Sequence, residues 1–235
     1  MNFSQFFSTQ HSDAPVMAPM LHLTILLTII GILYWAYKDG QAPYFKKLFA
    51  SIQWIQIISL YTWYVTQTFD WSISLPFYHC RMAMLAILCL PDRNRYKPYF
   101  ALLGLVGGIL SFIYPIMDTY AWPHLTQFSF VIGHLALIGN CAAYLFWSQA
   151  IFKISRRGLV SFVLGMNLFI LLINQVTGGD YGFMRKLPLF ATTNLLVNFL
   201  MVSAFLILLM GTMGQVFLRL KQRQAPLIFQ ARKRD

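Results

Sequence analysis

The chain of 235 residues is 58% apolar and only 11% charged, and its 18 Lys and Arg against seven acids, all of them Asp, give a formal net charge of +11. Soluble domains carry roughly a quarter charged residues, so this composition excludes a soluble globular protein and points to a compact polytopic membrane protein. A basic excess of this size also raises nucleic acid as a partner, and the placement of the bases decides that question.

A bilayer span needs about 20 mostly apolar residues. Residues 1–18 contain His11, Asp13 and Pro15 but no basic n-region, so they read as an extracytoplasmic or interfacial leader resting on Phe3, Phe6 and Phe7, and not as a signal peptide. Seven apolar runs follow, at residues 19–37, 48–69, 74–90, 98–117, 125–147, 158–177 and 189–214. The third is short and carries Arg81. The expected fold is therefore all-α, a polytopic transmembrane helical bundle of seven spans over residues 19–217, with a basic cytoplasmic tail at 218–235.

Fifteen of the 18 bases fall on one face of this bundle. They are Lys38, Lys46 and Lys47, then Arg93, Arg95 and Lys97, then Lys153, Arg156 and Arg157, and six more from Arg219 to Arg234. Arg185 and Lys186 occupy the opposite face, and Arg81 lies within a span. The positive-inside rule then puts the C-terminus in the cytoplasm and the N-terminus outside, which requires an odd number of spans. Bases in short loops at alternate helix ends serve topology, and no aromatic-interleaved basic stripe accompanies them, so nucleic acid is not an expected partner. The tail remains free to meet anionic headgroups.

Reactive groups gather on the other face. All five histidines (His11, His22, His79, His124 and His134) fall there, with Asp13, Asp70, Asp118 and Asp180. Ionisable groups inside a membrane are costly and tend to mark function. His22 and His124, near helix ends, read as interfacial hydrogen-bonding residues. His134 lies more than two turns into its span and needs a partner. Cys80, flanked by His79 and Arg81, sits in an electropositive setting that favours a nucleophilic thiolate. Cys89 and Cys141 read as packing residues, and the chain has no CxxC or HExxH spacing, so neither a metal nor another cofactor is expected. Arg81 either snorkels to the headgroups or holds a lipid phosphate. Asn194 and Asn198 share a face of the last span, with Asn198 about as deep as His134. A Cys80–His134–Asn198 arrangement would match the nucleophile, base and orienting group of thiol enzymes, although an Asn in a span also serves as interhelical glue.

The segment Leu75-Pro76-Phe77-Tyr78-His79-Cys80 resembles the Leu-Pro-x-x-x-Cys motif of the YwaF-like integral membrane family, which is related to the transmembrane protein 164 acyltransferases. Gly133-His134 in the fifth run is similar to the same pattern, as are Asn174, Gly178-Gly179-Asp180-Tyr181, Lys186 and Pro188 before the last span. The chain departs from the family at Tyr78, where His is commoner, and at Asp180, where Asn is commoner. The resemblance implies a seven-span bundle and cysteine- and histidine-dependent acyl transfer between lipids, with Cys80 as nucleophile and His134 as base.

Ester carbonyls lie just beneath the headgroups, at the depth expected of Cys80. The expected activity is thus a phospholipid acyltransferase or transacylase at the outer leaflet of a bacterial plasma membrane, with membrane phospholipids as partners. His79, Arg81, Asn174, Asp180 and Tyr181 are the expected substrate-binding residues. The Gly178-Gly179 backbone either holds an oxyanion or forms an ordinary turn. Two other classes stay open. One is a small transporter or lipid-binding bundle, and the other is a non-catalytic scaffold of an envelope complex.

Overall fold

Each of the seven apolar runs contains a helix in the computed structural model, which describes residues 3–188 and 192–231, with side chains described within 5–188 and 192–222. The helices are α1 (Pro19–Asp39), α2 (Pro43–Gln67), α3 (His79–Cys89), α4 (Lys97–Ile113), α5 (Leu125–Trp147), α6 (Arg156–Thr177) and α7 (Leu195–Ala231). Proline opens α1 and α2 and stands in the first turn of α4, where its missing N–H costs nothing. Gly178, in the left-handed conformation at φ 75°, closes α6. Residues 189–191, where the sequence places the start of the seventh run, lie outside the described residues, as do the tail residues Arg232, Lys233 and Arg234.

Four of these helices are long and apolar enough to cross a membrane, namely α1, α5, α6 and α7 over Leu195–Gln222. Helix α2 has 25 residues but carries Gln53 and Gln56. Helix α3 has only 11 residues, a rise of about 16 Å, well short of a bilayer core. The sequence expectation of a helix from residue 74 is corrected here, because the chain from Asp70 to Tyr78 is irregular. Pro76 disfavours helical backbone at Leu75, and Asp70 accepts from Ser72 N through its side chain while its carbonyl accepts from Ser74 N. The loop is then pinned to the far end of the chain. Tyr181 Oη accepts from Leu75 N at 3.0 Å and donates to the Trp71 carbonyl at 2.8 Å.

Helix α4 forms the centre of the bundle. Residues Ala101–Val106 are buried without a break, and α4 packs against α3, α5 and α7. Gly104 and Gly107 make the close approach to α3 possible, as small residues do in membrane interfaces. A β-carbon on Gly104 would meet Cys141 Sγ at 2.7 Å and Ala83 Cβ at 3.1 Å. Helix α5 also receives α2, through a buried amide chain in which Gln53 Nε2 donates to Gln56 Oε1 and Gln56 Nε2 donates to Ser129 Oγ.

The leader docks on one end of α2 and α5. Trp63 Nε1 donates to the Phe7 carbonyl, and the Phe6 ring packs on Phe128. His124 caps α5, its side chain accepting from Thr126 N, and Nε2 lies 2.9 Å from the Ser8 carbonyl. That arrangement needs neutral imidazole, with Nδ1 as acceptor and Nε2–H as donor. Burial holds His124 below the ordinary imidazole range. A group depressed in this way binds its proton more readily once released, so docking is at full strength above about pH 6.5 and weakens as pH falls below it. We expect the unfolding midpoint of the protein in detergent to fall between pH 7.5 and 5, and to fall less in His124→Asn, which keeps a capping side chain but cannot titrate.

Candidate thiol site at the α3 N-terminus

Cys80 is the second residue of α3 and is partly exposed, whereas Cys141 is buried and Cys89 exposed. The first N–H groups of a helix have no intrahelical acceptor and carry partial positive charge. The thiol therefore starts beside a set of oriented donors. It faces α4, since a β-carbon on Gly107 would stand 2.8 Å from Sγ. One residue further along α4, Gly108 packs against the His134 carbonyl, 3.5 Å from where its β-carbon would stand. Cys80 and the His134 backbone thus flank adjacent glycines of one helix.

His134 donates Nδ1–H to the carbonyl of Phe130, one turn earlier, at 2.7 Å, and its ring packs between Phe112 and Phe130. This bond fixes the tautomer and leaves the Nε2 lone pair as the basic position. Arg81 follows Cys80 directly in α3. No hydrogen bond joins Cys80 to His134 in this structure, and such contacts often close only around substrate. A groove of about 590 Å³ along Phe6, Ile58, Trp63 and Leu125 is lined by neither residue.

Arg81 is held in place within the bundle. Its guanidinium donates to the Ile73 carbonyl at 3.2 Å and to Tyr64 Oη at 2.9 Å, with its Cζ 4.9 Å from the Tyr78 ring centroid. No carboxylate among the described residues pairs with it. Its positive charge is met by phenol oxygen and π faces.

His79 points toward α6 and α7. Asn167 donates to Ser203 Oγ at 2.9 Å and presents Oδ1 to His79 Nε2 at 2.8 Å, so Nε2 carries the proton. The ring lies flush against Gly182, whose φ is 69° and whose β-carbon would stand 2.6 Å from His79 Cε1. Asn167 and Ser203 were not singled out by sequence reasoning. The available signal was a polar residue in mid-span.

Asn198 does not orient His134. Its amide donates to the carbonyls of Met184, Arg185 and Thr192, so the orienting role in the expected triad passes to the Phe130 carbonyl. Asn174 and Tyr181 exchange two hydrogen bonds, and the Asp180 carboxylate accepts from Arg185 N and Lys186 N. Arg185 in turn donates to the carbonyls of Gly178 and Asn174. These residues, expected to bind substrate, hydrogen-bond one another and the backbone of residues 178–186, and Gly182 of that stretch lies against His79. The glycine pair forms a turn and no oxyanion hole, because Gly178 N donates to the Asn174 carbonyl and Gly179 N to Thr177 Oγ1.

Among the described residues, no group of three His, Cys, Asp or Glu side chains is placed to hold a metal ion. No curated protein and no solved structure matches the chain. The TMEM164 family model matches it over residues 6–220, nearly the whole bundle together with most of the leader, so the chain belongs to the TMEM164 family and is an integral membrane protein.

Proposed function

We propose that this protein spans the membrane seven times, with its N-terminus outside, and transfers acyl chains between phospholipids at the outer leaflet through a Cys80 thioester. The observation that carries the reading is the position of Cys80 in the first turn of α3, directly before Arg81, with its sulfur against Gly107 of α4 while the His134 backbone carbonyl lies by the neighbouring Gly108. Cys80 Sγ attacks the ester carbonyl of a donor phospholipid, forming a C–S bond. His134 Nε2 takes the thiol proton and passes it to the departing lysolipid oxygen as the C–O bond breaks. An acceptor lysolipid hydroxyl then attacks the thioester. Its proton goes to His134, the new ester forms, and the thiol is restored. N–H groups of the first turn of α3, which carries the thiol, would serve as donors for the carbonyl oxygen. No cofactor is required.

The first half-reaction leaves a trace on the protein. After incubation with phospholipid, intact-mass measurement should show an added acyl group that neutral hydroxylamine removes and that Cys80→Ala lacks. Lipid transfer without any hydroxylamine-sensitive adduct would overturn the thioester route.

A further inference from the structure

The basic end of the bundle contains a cavity of about 380 Å³ between α2, the end of α3, the start of α4 and α5, which none of the acyl-transfer chemistry uses. Its lining includes Lys46, Lys97, Asn140, Tyr144 and Ser148. Lys97, the first residue of α4, is 7% exposed. An ammonium offers three donors, and two are committed at Lys97, to the Leu90 carbonyl at 2.6 Å and to Asp92 Oδ1 at 2.8 Å. The Tyr144 ring lies 5.3 Å from the same nitrogen. Asp92 is the one acid in the lining, and its side chain is 78% exposed, so it is free to swing away when another anion arrives.

The remaining groups also favour an anion. Lys46 brings a second cation to the lining, and Asn140 spends one amide N–H on the Phe49 carbonyl and has another available. Lys221 of α7 donates to the Ser148 carbonyl, placing a third cation beside the cavity. Trp147 supplies an apolar wall, its Nε1 being taken by the Ala36 carbonyl.

We propose that this cavity binds a phosphate group, carried by an anionic phospholipid of the leaflet on the basic face or by a soluble phosphate. The volume is within the range of small-molecule sites, and the donors are the charged and amide N–H groups that recognise phosphate oxygens. The phosphate would replace Asp92 on Lys97 and draw in Lys46. The proposal is independent of the acyl-transfer reading, because its site and its test do not involve Cys80.

The test uses the full chain in detergent, with its unfolding midpoint followed at constant ionic strength against dioctanoyl phosphatidic acid, dioctanoylglycerol and inorganic phosphate. A saturable rise with phosphatidic acid and none with dioctanoylglycerol is expected. An equal rise with inorganic phosphate at similar concentration assigns the soluble source. No saturable rise with either phosphate probe overturns the proposal. Lys46→Gln should weaken apparent affinity about tenfold, the loss of one charge-assisted contact, while Lys47→Gln, one residue outside the lining, should leave it unchanged. Lys97→Gln should weaken it similarly if the variant folds, and Lys46→Gln decides the matter if it does not. Equal losses in Lys46→Gln and Lys47→Gln would show only diffuse attraction and would also overturn the site.

Discussion

Cys80→Ala is expected to lower phospholipid acyl transfer by at least about a thousandfold, because it removes the atom that forms the intermediate. The substitution takes away a single sulfur from a partly exposed position, so its stability cost should stay near 1 kcal/mol. Transfer of a labelled acyl chain and the unfolding midpoint, measured on the same preparation, separate loss of chemistry from loss of fold. His134→Gln should lower transfer by about 10² to 10⁴, the usual contribution of a positioned base, and should flatten the acidic limb of the pH–rate profile. His79→Gln should leave that limb in place. Successive residues on a helix point about 100° apart, and His79 is turned toward Asn167 and Gly182, so its loss should loosen the α3, α6 and α7 contact without removing the base. Full activity in Cys80→Ala would remove the nucleophile, and a His79→Gln profile matching that of His134→Gln would reassign the base.

The helices were legible because apolar length and proline starts are local properties. The fifth helix, Leu125–Trp147, has the bounds expected of it. The start of α3 was not legible, because hydropathy sees residues 74–78 as apolar, whereas Tyr181, more than a hundred residues away, holds that backbone out of a helix. The site divides along the same line. Cys80 and His134 stand out in sequence as reactive groups in apolar surroundings. The roles of Asn174, Asp180 and Asn198 did not emerge, because an Asn or Asp side chain serves loop carbonyls and amides as readily as substrate. The decisive information was tertiary, the contacts of Asp180 with Arg185 N and Lys186 N and of Asn198 with the Met184 and Arg185 carbonyls. For Arg81 sequence offered snorkelling or a lipid phosphate, and its protein partners, the Tyr64 hydroxyl and the Ile73 carbonyl, are tertiary neighbours that no local pattern names. The His79–Asn167–Ser203 chain joins three helices, and sequence marks its members only as polar residues in mid-span, not as partners.

Gly107→Ala should lower acyl transfer by about a hundredfold with little change in stability, and it tests the direction of the thiol as distinct from its presence. The added β-carbon would stand 2.8 Å from Cys80 Sγ and meet nothing else within 4 Å. A contact that short must be relieved, and the cheapest relief is rotation of Cys80 about χ1 into another staggered well. That moves the sulfur by more than an ångström, and a displacement of this size costs about 10² in rate. The better helix propensity of Ala, worth about 1 kcal/mol over Gly, offsets the local crowding, so the unfolding midpoint should hardly move. Gly104→Ala should behave in the opposite way. Its β-carbon would meet Cys141 Sγ at 2.7 Å, Leu137 Cδ1 at 2.9 Å and Ala83 Cβ at 3.1 Å, so two side chains must repack together while the Ala83 contact, which no rotation relieves, pushes α3 from α4, at about 1–3 kcal/mol. Gly165→Ala, with no atom within 4 Å of the new carbon, should leave transfer unchanged and raise stability by about 1 kcal/mol through helix propensity alone. Wild-type transfer in Gly107→Ala would mean that the thiol direction is irrelevant to the reaction, and Cys80 could then no longer be its nucleophile.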